Sequence, residues 1–145
     1  MSDRLKIRDV VLAISAATDS SMNRIRFEGL DYAATADFHL LRAAYDAAGA
    51  GVAVTVGQLF SSDSFYSDRP ELLQRMTEYG VLGVEMEANA LYTLAAKHAR
   101  QALCVCTVSD HIVTGEETSS QEREQTFGDM VSVALDAMLA TPLPS

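Results

Sequence analysis

Short apolar runs alternate with segments of helical periodicity along the chain. Each run is bounded by polar or glycine residues, which is typical of a buried strand. We predict strands at 9–14, 52–59, 81–84 and 102–108. Between them apolar side chains recur every three or four residues, and we predict helices at 31–48, 70–79, 85–100 and from about 120 onward. This alternation predicts an α/β fold with a largely parallel sheet flanked by helices, in a single domain over residues 1–145.

Further residues refine the positions of these elements. Pro70 lies in the first turn of a predicted helix, and Ser119 with Glu122 forms a capping box before the last one. Residues 15–29 carry little periodicity and are predicted to form a loop, with a short strand within it as the alternative. The run 102–108 is apolar almost throughout, as expected for a central parallel strand.

Carboxylates follow two of the predicted strands at the point where each strand ends. Glu85 and Glu87 come directly after 81–84, and Asp110 comes after 102–108. Ligands bind at the carboxyl ends of strands in open α/β sheets, so these residues are candidates for a shared site. The alternative is that acidic residues simply favour the first turn of a helix through its macrodipole.

Arg123 is a candidate partner for one of these carboxylates. It lies four residues before Phe127, so on a helix it points with the apolar stripe. A partly buried guanidinium needs an anionic partner, and the nearest in sequence is Asp110. Alternatively, the Arg123 side chain extends along the core and keeps its charge in water.

Two aromatic residues, Phe65 and Tyr66, occupy a polar loop after the second predicted strand. They could cover a flat ligand, although loop aromatics more often pack downward against the protein. The three histidines, His39, His98 and His111, lack the spacing of metal ligands, so no metal site is predicted. The chain also lacks a nucleophile elbow and a Walker-type phosphate loop.

The composition excludes several classes of protein. The net charge of −9 argues against nonspecific binding to nucleic acid or anionic membranes. No apolar run reaches the roughly 20 residues of a membrane helix. The two cysteines, Cys104 and Cys106, match neither a zinc nor a redox motif and are predicted to be buried thiols of a cytoplasmic protein, unable to bond to each other within one strand.

Several motifs together resemble the hexameric, bacterial type of purine nucleoside phosphorylase. The resemblance runs from about Leu5 to Leu139. The motifs are Arg8-Asp-Val-Val11, Thr18-Asp-Ser20, Asn23-Arg-Ile-Arg-Phe27, Leu59-Phe60, Phe65-Tyr-Ser67, Val84-Glu-Met-Glu-Ala88 and Thr107-Val-Ser-Asp-His-Ile112. Related nucleosidases share Glu-Met-Glu, and uridine phosphorylases have a variant of it. Ser109-Asp110-His111 followed by Arg123 indicates the purine branch.

The resemblance implies a three-layer phosphorylase-like fold and cleavage of a purine nucleoside by phosphate. The ribose becomes oxocarbenium-like as the glycosidic bond breaks. By resemblance, Glu87 accepts hydrogen bonds from the ribose hydroxyls and Met86 lies against the sugar. Glu85 matches the motif and is assigned to the substrate site without a defined role.

The resemblance also assigns residues to the base. Phe65 and Val84 line the base pocket, and Ser109 contacts the base. The purine leaves as an anion unless N7 is protonated, and by resemblance Asp110 is the acid, with Arg123 assisting proton transfer. Phosphate is a co-substrate, no cofactor is required, and the resemblance implies a homo-oligomer.

Family members are longer, and the expected difference is an absent N-terminal part that carries their phosphate site. Arg24 and Arg26 belong to another segment and are not assigned to phosphate. Three functions remain open: a purine nucleoside phosphorylase, a nucleosidase-like hydrolase or uridine phosphorylase-branch enzyme, and a non-catalytic nucleoside-binding or oligomer-forming fragment. The loss of strands from a sheet would also promote self-association.

Overall fold

A computed structural model describes residues 5–66, 69–111, 116–117 and 120–142, with the side chains of 111, 116–117 and 120–126 left out. The strands are β1 (Val10–Thr18), β2 (Val54–Ser61), β3 (Gly83–Glu85), β4 (Cys104–Thr107), β5 (Asp110–His111) and β6 (Glu116–Glu117). The helices are α1 (Met22–Arg26), α2 (Phe38–Ala48), α3 (Pro70–Glu78), α4 (Ala88–Lys97) and α5 (Ser120–Ala140).

The main sheet has the strand order β3-β2-β1-β4. β1 pairs with β2, and β2 with β3, in parallel, whereas β4 pairs antiparallel to β1. The α/β fold class with a mixed sheet is therefore confirmed. The prediction that 102–108 forms a central parallel strand is wrong, because within the described residues β4 is antiparallel and lies at the end of the order.

Both faces of β1 are covered, which explains why its sequence is a continuous apolar run. Val10 and Leu12 pack with Leu41 of α2 and Val133 of α5 on one face. Residues of the other face pack against α4 and the segment before β3. That cluster includes Val11, Ala13, Leu59, Leu82, Ala88 and Tyr92. The sheet is thus a middle layer between helices, as the strand and helix pattern predicts.

Tyr92 joins α4 to two neighbouring strands. Its hydroxyl donates to the carbonyl oxygen of Ala13 at 2.5 Å and accepts from the backbone N–H of Cys104 at 2.9 Å. The side chain is almost wholly buried, and burial raises the pKa of Tyr92, so the hydroxyl keeps the proton that it donates. This residue fixes α4 over the face of the sheet that carries the cysteines.

Two predicted boundaries near the N-terminus differ from the structure. For residues 15–29 the pattern predicts a loop, with a short strand as the alternative; in the structure β1 extends to Thr18, and the helix α1 that follows is not predicted. Helix α2 begins at Phe38 rather than near 31, because the Asp37 side chain accepts from the backbone N–H of Leu40 at 2.9 Å and caps it. The predicted cap residue Ser119 lies outside the described residues. None of the helices in the described part of the chain is long and apolar enough to cross a membrane.

Candidate functional site

The turn between β3 and α4 contains the motif Glu85-Met86-Glu87. Glu85 is the last residue of β3, and α4 begins at Ala88. One carboxylate oxygen of Glu85, Oε2, accepts from the backbone N–H groups of Glu87 at 2.8 Å and Ala88 at 2.6 Å. These N–H groups lie at the helix N-terminus, where the backbone lacks partners and the macrodipole favours negative charge. The Glu85 side chain therefore closes the turn.

The second oxygen of Glu85 links the turn to β2. Glu85 Oε1 accepts a hydrogen bond from the hydroxyl of Ser61, the last residue of β2. The same Ser61 oxygen accepts from the backbone N–H of Asn89 at 2.9 Å. Ser61 is buried, so its hydroxyl depends on these two partners.

A buried group of polar side chains lies behind this link. Asn89 donates through Nδ2 to the carbonyl oxygen of Ala16 at 2.6 Å. Asn23 donates through Nδ2 to Asn89 Oδ1 and to Thr93 Oγ1, both at 2.9 Å. Asn23, Asn89 and Thr93 are each at least 95% buried. The network joins α1, α4 and the end of β1, and buried networks whose members are satisfied hold elements in one arrangement.

Met86 and Glu87 are presented to solvent on this fixed turn. Met86 is 42% exposed, and Glu87 is also exposed. Glu87 Oε2 accepts from the backbone N–H of Met86 at 3.3 Å, a long hydrogen bond. Val84, in β3, is half-buried. An exposed carboxylate beside an exposed thioether can accept hydrogen bonds and contact an apolar surface of one ligand.

The loop after β2 carries the two candidate aromatic residues. Phe65 is 77% exposed and Tyr66 is 85% exposed, and their rings meet edge to face with centroids 5.0 Å apart. The two rings therefore do not pack against the protein, although loop aromatics more often do so. Ser67 of the same motif lies outside the described residues. Exposed aromatic faces are available to stack on a planar ligand.

Asp19 anchors this aromatic loop to the end of β1. Its carboxylate accepts from the backbone N–H of Asp63 at 3.0 Å and forms an ion pair with Arg69. Burial raises the pKa of Asp19, but the hydrogen bonds from Asp63 and Arg69 and the positive charge of Arg69 outweigh it, so the pKa lies below the ordinary value of 3.8. Sequence reasoning missed this role, although Thr18-Asp-Ser20 was among the motifs.

Asp110 and Ser109 lie beyond the end of β4. The Ser109 hydroxyl donates to Asp110 Oδ2 at 2.8 Å. The carbonyl oxygen of Val108 accepts from the backbone N–H of Arg8, and the N–H of Val108 donates to the carbonyl oxygen of Asp9, both at 2.9 Å. Arg8 and Asp9 lie next to the start of β1. The premise that β3 and β4 end at one edge of the sheet is therefore wrong, because β4 runs antiparallel. Convergence of Glu87 and Asp110 on one ligand stays a prediction.

The glutamates nevertheless act electrostatically on β4. Cys104 and Cys106 are free thiols with Sγ atoms 3.4 Å apart, and both are half-buried rather than fully buried. The hydrogen bond between them, burial, and the negative charges of Glu85 and Glu87 raise the pKa of Cys104. The same hydrogen bond lowers the pKa of Cys106, against burial and both carboxylates. The turn is therefore within electrostatic reach of β4, although β3 and β4 lie at opposite ends of the strand order.

Arg123 falls within α5, but its side chain is outside the described residues. Its pairing with Asp110 therefore stays a prediction. In the described part of the chain, no three His, Cys, Asp or Glu side chains gather closely enough to hold a metal ion.

Comparison with known proteins gives concordant matches. Residues 1–141 match the family model described as the phosphorylase superfamily. The chain is 56% identical over 135 residues to a Bacillus subtilis (strain 168) protein named purine nucleoside phosphorylase DeoD-type, which covers 92% of this chain and 58% of that protein. It is 57% identical to the Geobacillus kaustophilus protein of the same name, over 93% of this chain and 57% of that protein.

A third relative, purine nucleoside phosphorylase DeoD-type 1 of Vibrio parahaemolyticus, is 53% identical over 96% of this chain and 59% of its own length. The chain thus spans less than three fifths of the length of these relatives. The resemblance that the sequence motifs indicate is confirmed.

Proposed function

The chain belongs to the phosphorylase superfamily, and we propose that it takes part in the cleavage of purine nucleosides by phosphate, giving the free base and ribose 1-phosphate. The observation that carries this proposal is the 53–57% identity to three proteins that are each named a purine nucleoside phosphorylase. The described residues supply groups suited to a nucleoside. Phosphate is the second substrate, and no cofactor is needed.

Glu87 and Met86 are proposed to bind the ribose. The exposed Glu87 carboxylate would accept hydrogen bonds from two ribose hydroxyls and offset positive charge on the sugar as the glycosidic bond breaks. The exposed Met86 side chain would lie against the apolar face of the ring. The held turn supports this proposal, because the hydrogen bonds to Glu85 fix the backbone that carries Glu87.

Phe65, Val84 and Asp110 are proposed to act on the purine. The exposed Phe65 ring would stack on the base beside Val84. Asp110, oriented by the hydroxyl of Ser109, would donate a proton to N7 so that the base leaves neutral. An arginine beside an aspartate favours the ionised carboxylate, so Arg123 would engage as the proton leaves.

The complete enzyme is proposed to be a cytoplasmic homo-oligomer. Free cysteines fit a reducing compartment. The relatives are longer than this chain, so the phosphate site is proposed to come from sequence beyond the matched part or from another subunit.

Release of hypoxanthine from inosine, with and without phosphate, tests the proposal. Phosphate-dependent release is expected from the complete enzyme, in which the proposed phosphate site is present. Phosphate-independent release would indicate a hydrolase, and binding of inosine without turnover would indicate a non-catalytic nucleoside-binding protein. Faster turnover of uridine than of inosine would move the chain to the uridine phosphorylase branch.

The proposed acid has its own test. We expect Asp110→Asn to lower inosine turnover roughly 100-fold or more, since general acid catalysis commonly contributes that much. Unchanged purine turnover in this variant would contradict the role of Asp110.

A further inference from the structure

The two glutamates of the turn differ in their surroundings. Glu85 is half-buried, and its two oxygens accept three hydrogen bonds from Ser61, Glu87 and Ala88. Glu87 is exposed and accepts one long hydrogen bond from Met86. We infer that Glu85 is a positioning residue: it fixes the backbone that presents Glu87, and it does not bind the ligand. The inference deepens the proposed function and rests on it for the identity of the ligand.

The hydrogen-bonding capacity of Glu85 supports this assignment. An ionised carboxylate offers about four lone-pair sites. Three of them are used by protein donors, and two of those donors are N–H groups at the N-terminus of α4. A charged acceptor forms stronger hydrogen bonds with N–H groups than a neutral one does. Binding a ribose hydroxyl through Glu85 would compete with contacts that hold the turn together.

The contacts behind Glu85 limit its movement. Ser61 donates to Glu85 and accepts from the backbone N–H of Asn89. Asn89 is held in turn by the carbonyl oxygen of Ala16 and by Asn23. The position of Glu85 is therefore set by β1, β2, α1 and α4 together. Because the backbone N–H of Glu87 donates to Glu85, these contacts also fix the position of the Glu87 backbone relative to the sheet.

Hydrogen exchange of the Glu87 and Ala88 amides tests the inference without any substrate. In the full chain labelled with ¹⁵N, we expect Glu85→Gln to speed exchange of both amides roughly 10-fold, because a charged acceptor is replaced by a neutral one. Ser61→Ala should also speed exchange. In the double variant with Glu85→Gln and Ser61→Ala, the exchange rate should rise by less than the product of the two separate increases, because the two residues act as one unit.

A control is Glu71→Gln, which makes the same change at an exposed glutamate in the first turn of α3, remote in sequence from the turn after β3. It should leave exchange of the Glu87 and Ala88 amides unchanged. Glu87→Gln should also leave Ala88 exchange near that of the wild type, because the Glu87 side chain does not contact Ala88 N–H in the described structure. Equal effects of Glu85→Gln and Glu87→Gln on the Ala88 amide would overturn the inference.

Kinetics then separate positioning from ligand binding. If inosine is cleaved, Glu85→Gln should lower kcat/KM by a smaller factor than Glu87→Gln does. Of these two variants, only Glu85→Gln should accelerate exchange of the Ala88 amide. An unchanged exchange rate in Glu85→Gln overturns the inference, whether or not inosine is cleaved. A wild-type chain that neither binds nor cleaves inosine, with exchange accelerated in Glu85→Gln, overturns the proposed function and leaves the structural role of Glu85 supported.

Discussion

Single residues of this chain act through contacts that their type alone does not specify. Glu85 and Glu87 have the same side chain and are separated by only one residue, yet one closes a turn and the other is exposed. Gly57 shows the same dependence on surroundings. A methyl group at Gly57 would overlap the side chain of Leu82, which is fully buried. The close approach of β2 to the segment before β3 therefore requires glycine.

Gly57→Ala is expected to lower the free energy of unfolding by about 1–3 kcal/mol, the usual cost of overpacking a core. Urea unfolding followed by circular dichroism measures it. Gly51→Ala is the matched control, because no atom lies within 4 Å of a methyl group at Gly51. It should change the free energy of unfolding by less than about 0.5 kcal/mol. Equal stabilities of the two variants would contradict the proposed overlap.

The candidate residues could be predicted from sequence, but their contacts could not. Strand ends followed by carboxylates indicated Glu85, Glu87 and Asp110. The partners of Glu85 come from β2 and from the N-terminus of α4, and nothing local in the sequence specifies that a serine 24 residues away donates to it. Asp19 was missed for the same reason, because its partners lie more than forty residues further along the chain.

At the scale of whole elements, strand direction was the property that sequence pattern did not specify. An apolar run reports that a strand is buried, and it is equally compatible with parallel and antiparallel pairing. β4 therefore matched the predicted segment but not the predicted direction. Two helix starts that a single residue sets were predicted unequally. Pro70 begins α3 as predicted, whereas the cap at Asp37 was not anticipated.

The end of α4 provides a prediction of increased stability. Ala99 has a positive φ of 50°, and the N–H groups of Ala99 and Arg100 donate to the carbonyl oxygens of Ala96 and Ala95. This is a Schellman motif, in which glycine is preferred at the position that Ala99 occupies. We expect Ala99→Gly to raise the free energy of unfolding by about 0.5–1 kcal/mol, since relief of left-handed strain exceeds the entropy cost of glycine.

Ala96→Gly, within α4 itself, is the control for the Ala99 prediction and should lower stability. Thermal unfolding of both variants gives the comparison. A decrease of similar size in both would show that the left-handed conformation at Ala99 carries no strain.

The stability that Asp19 contributes by linking β1 to the aromatic loop should depend on pH. The pKa of Asp19 is lowered in the folded protein, so its contribution to stability is present above the ordinary value of 3.8 and is lost as pH falls through the folded pKa. The stability difference between wild type and Asp19→Asn should therefore be largest above that value and shrink in acid. Urea unfolding over a pH series measures it.

Asp46→Asn is a useful control for this pH series. Asp46 pairs with Arg42 at 3.7 Å, and both side chains are about two thirds exposed or more. Such a surface pair contributes little, so this variant should differ from wild type only slightly. A wild-type advantage over Asp19→Asn that stays constant into acid would contradict the role of the ionised carboxylate.

For the molecule as a whole, the α/β class and the placement of helices on both faces of the sheet followed from periodicity. The apolar runs marked the covered strand β1 correctly but overstated the burial of β4, which is half-buried throughout. The alternation of strands and helices was enough to indicate the layer architecture. What periodicity could not specify was the order of strands, because contacts between distant segments set it. The small β5–β6 pair was also not predicted, since two-residue strands leave no periodic pattern.

Exposed apolar side chains lead to a prediction about association. Ile25, Leu30, Tyr79 and Leu139 are each at least 70% exposed. The chain also spans less than three fifths of the length of these relatives. We expect it to elute in size-exclusion chromatography as a species larger than a 15.7 kDa monomer. A monodisperse monomer at micromolar concentration would contradict this expectation.

The main proposal is that the turn after β3 presents Glu87 to the ribose of a purine nucleoside. Its most direct test compares wild type with Glu87→Gln in the phosphate-dependent release of hypoxanthine from inosine, with thermal unfolding as the control for folding. We expect release that requires phosphate and a kcat/KM lowered roughly 100-fold or more in Glu87→Gln, at an unchanged unfolding temperature. Equal kcat/KM values for the two proteins would contradict it.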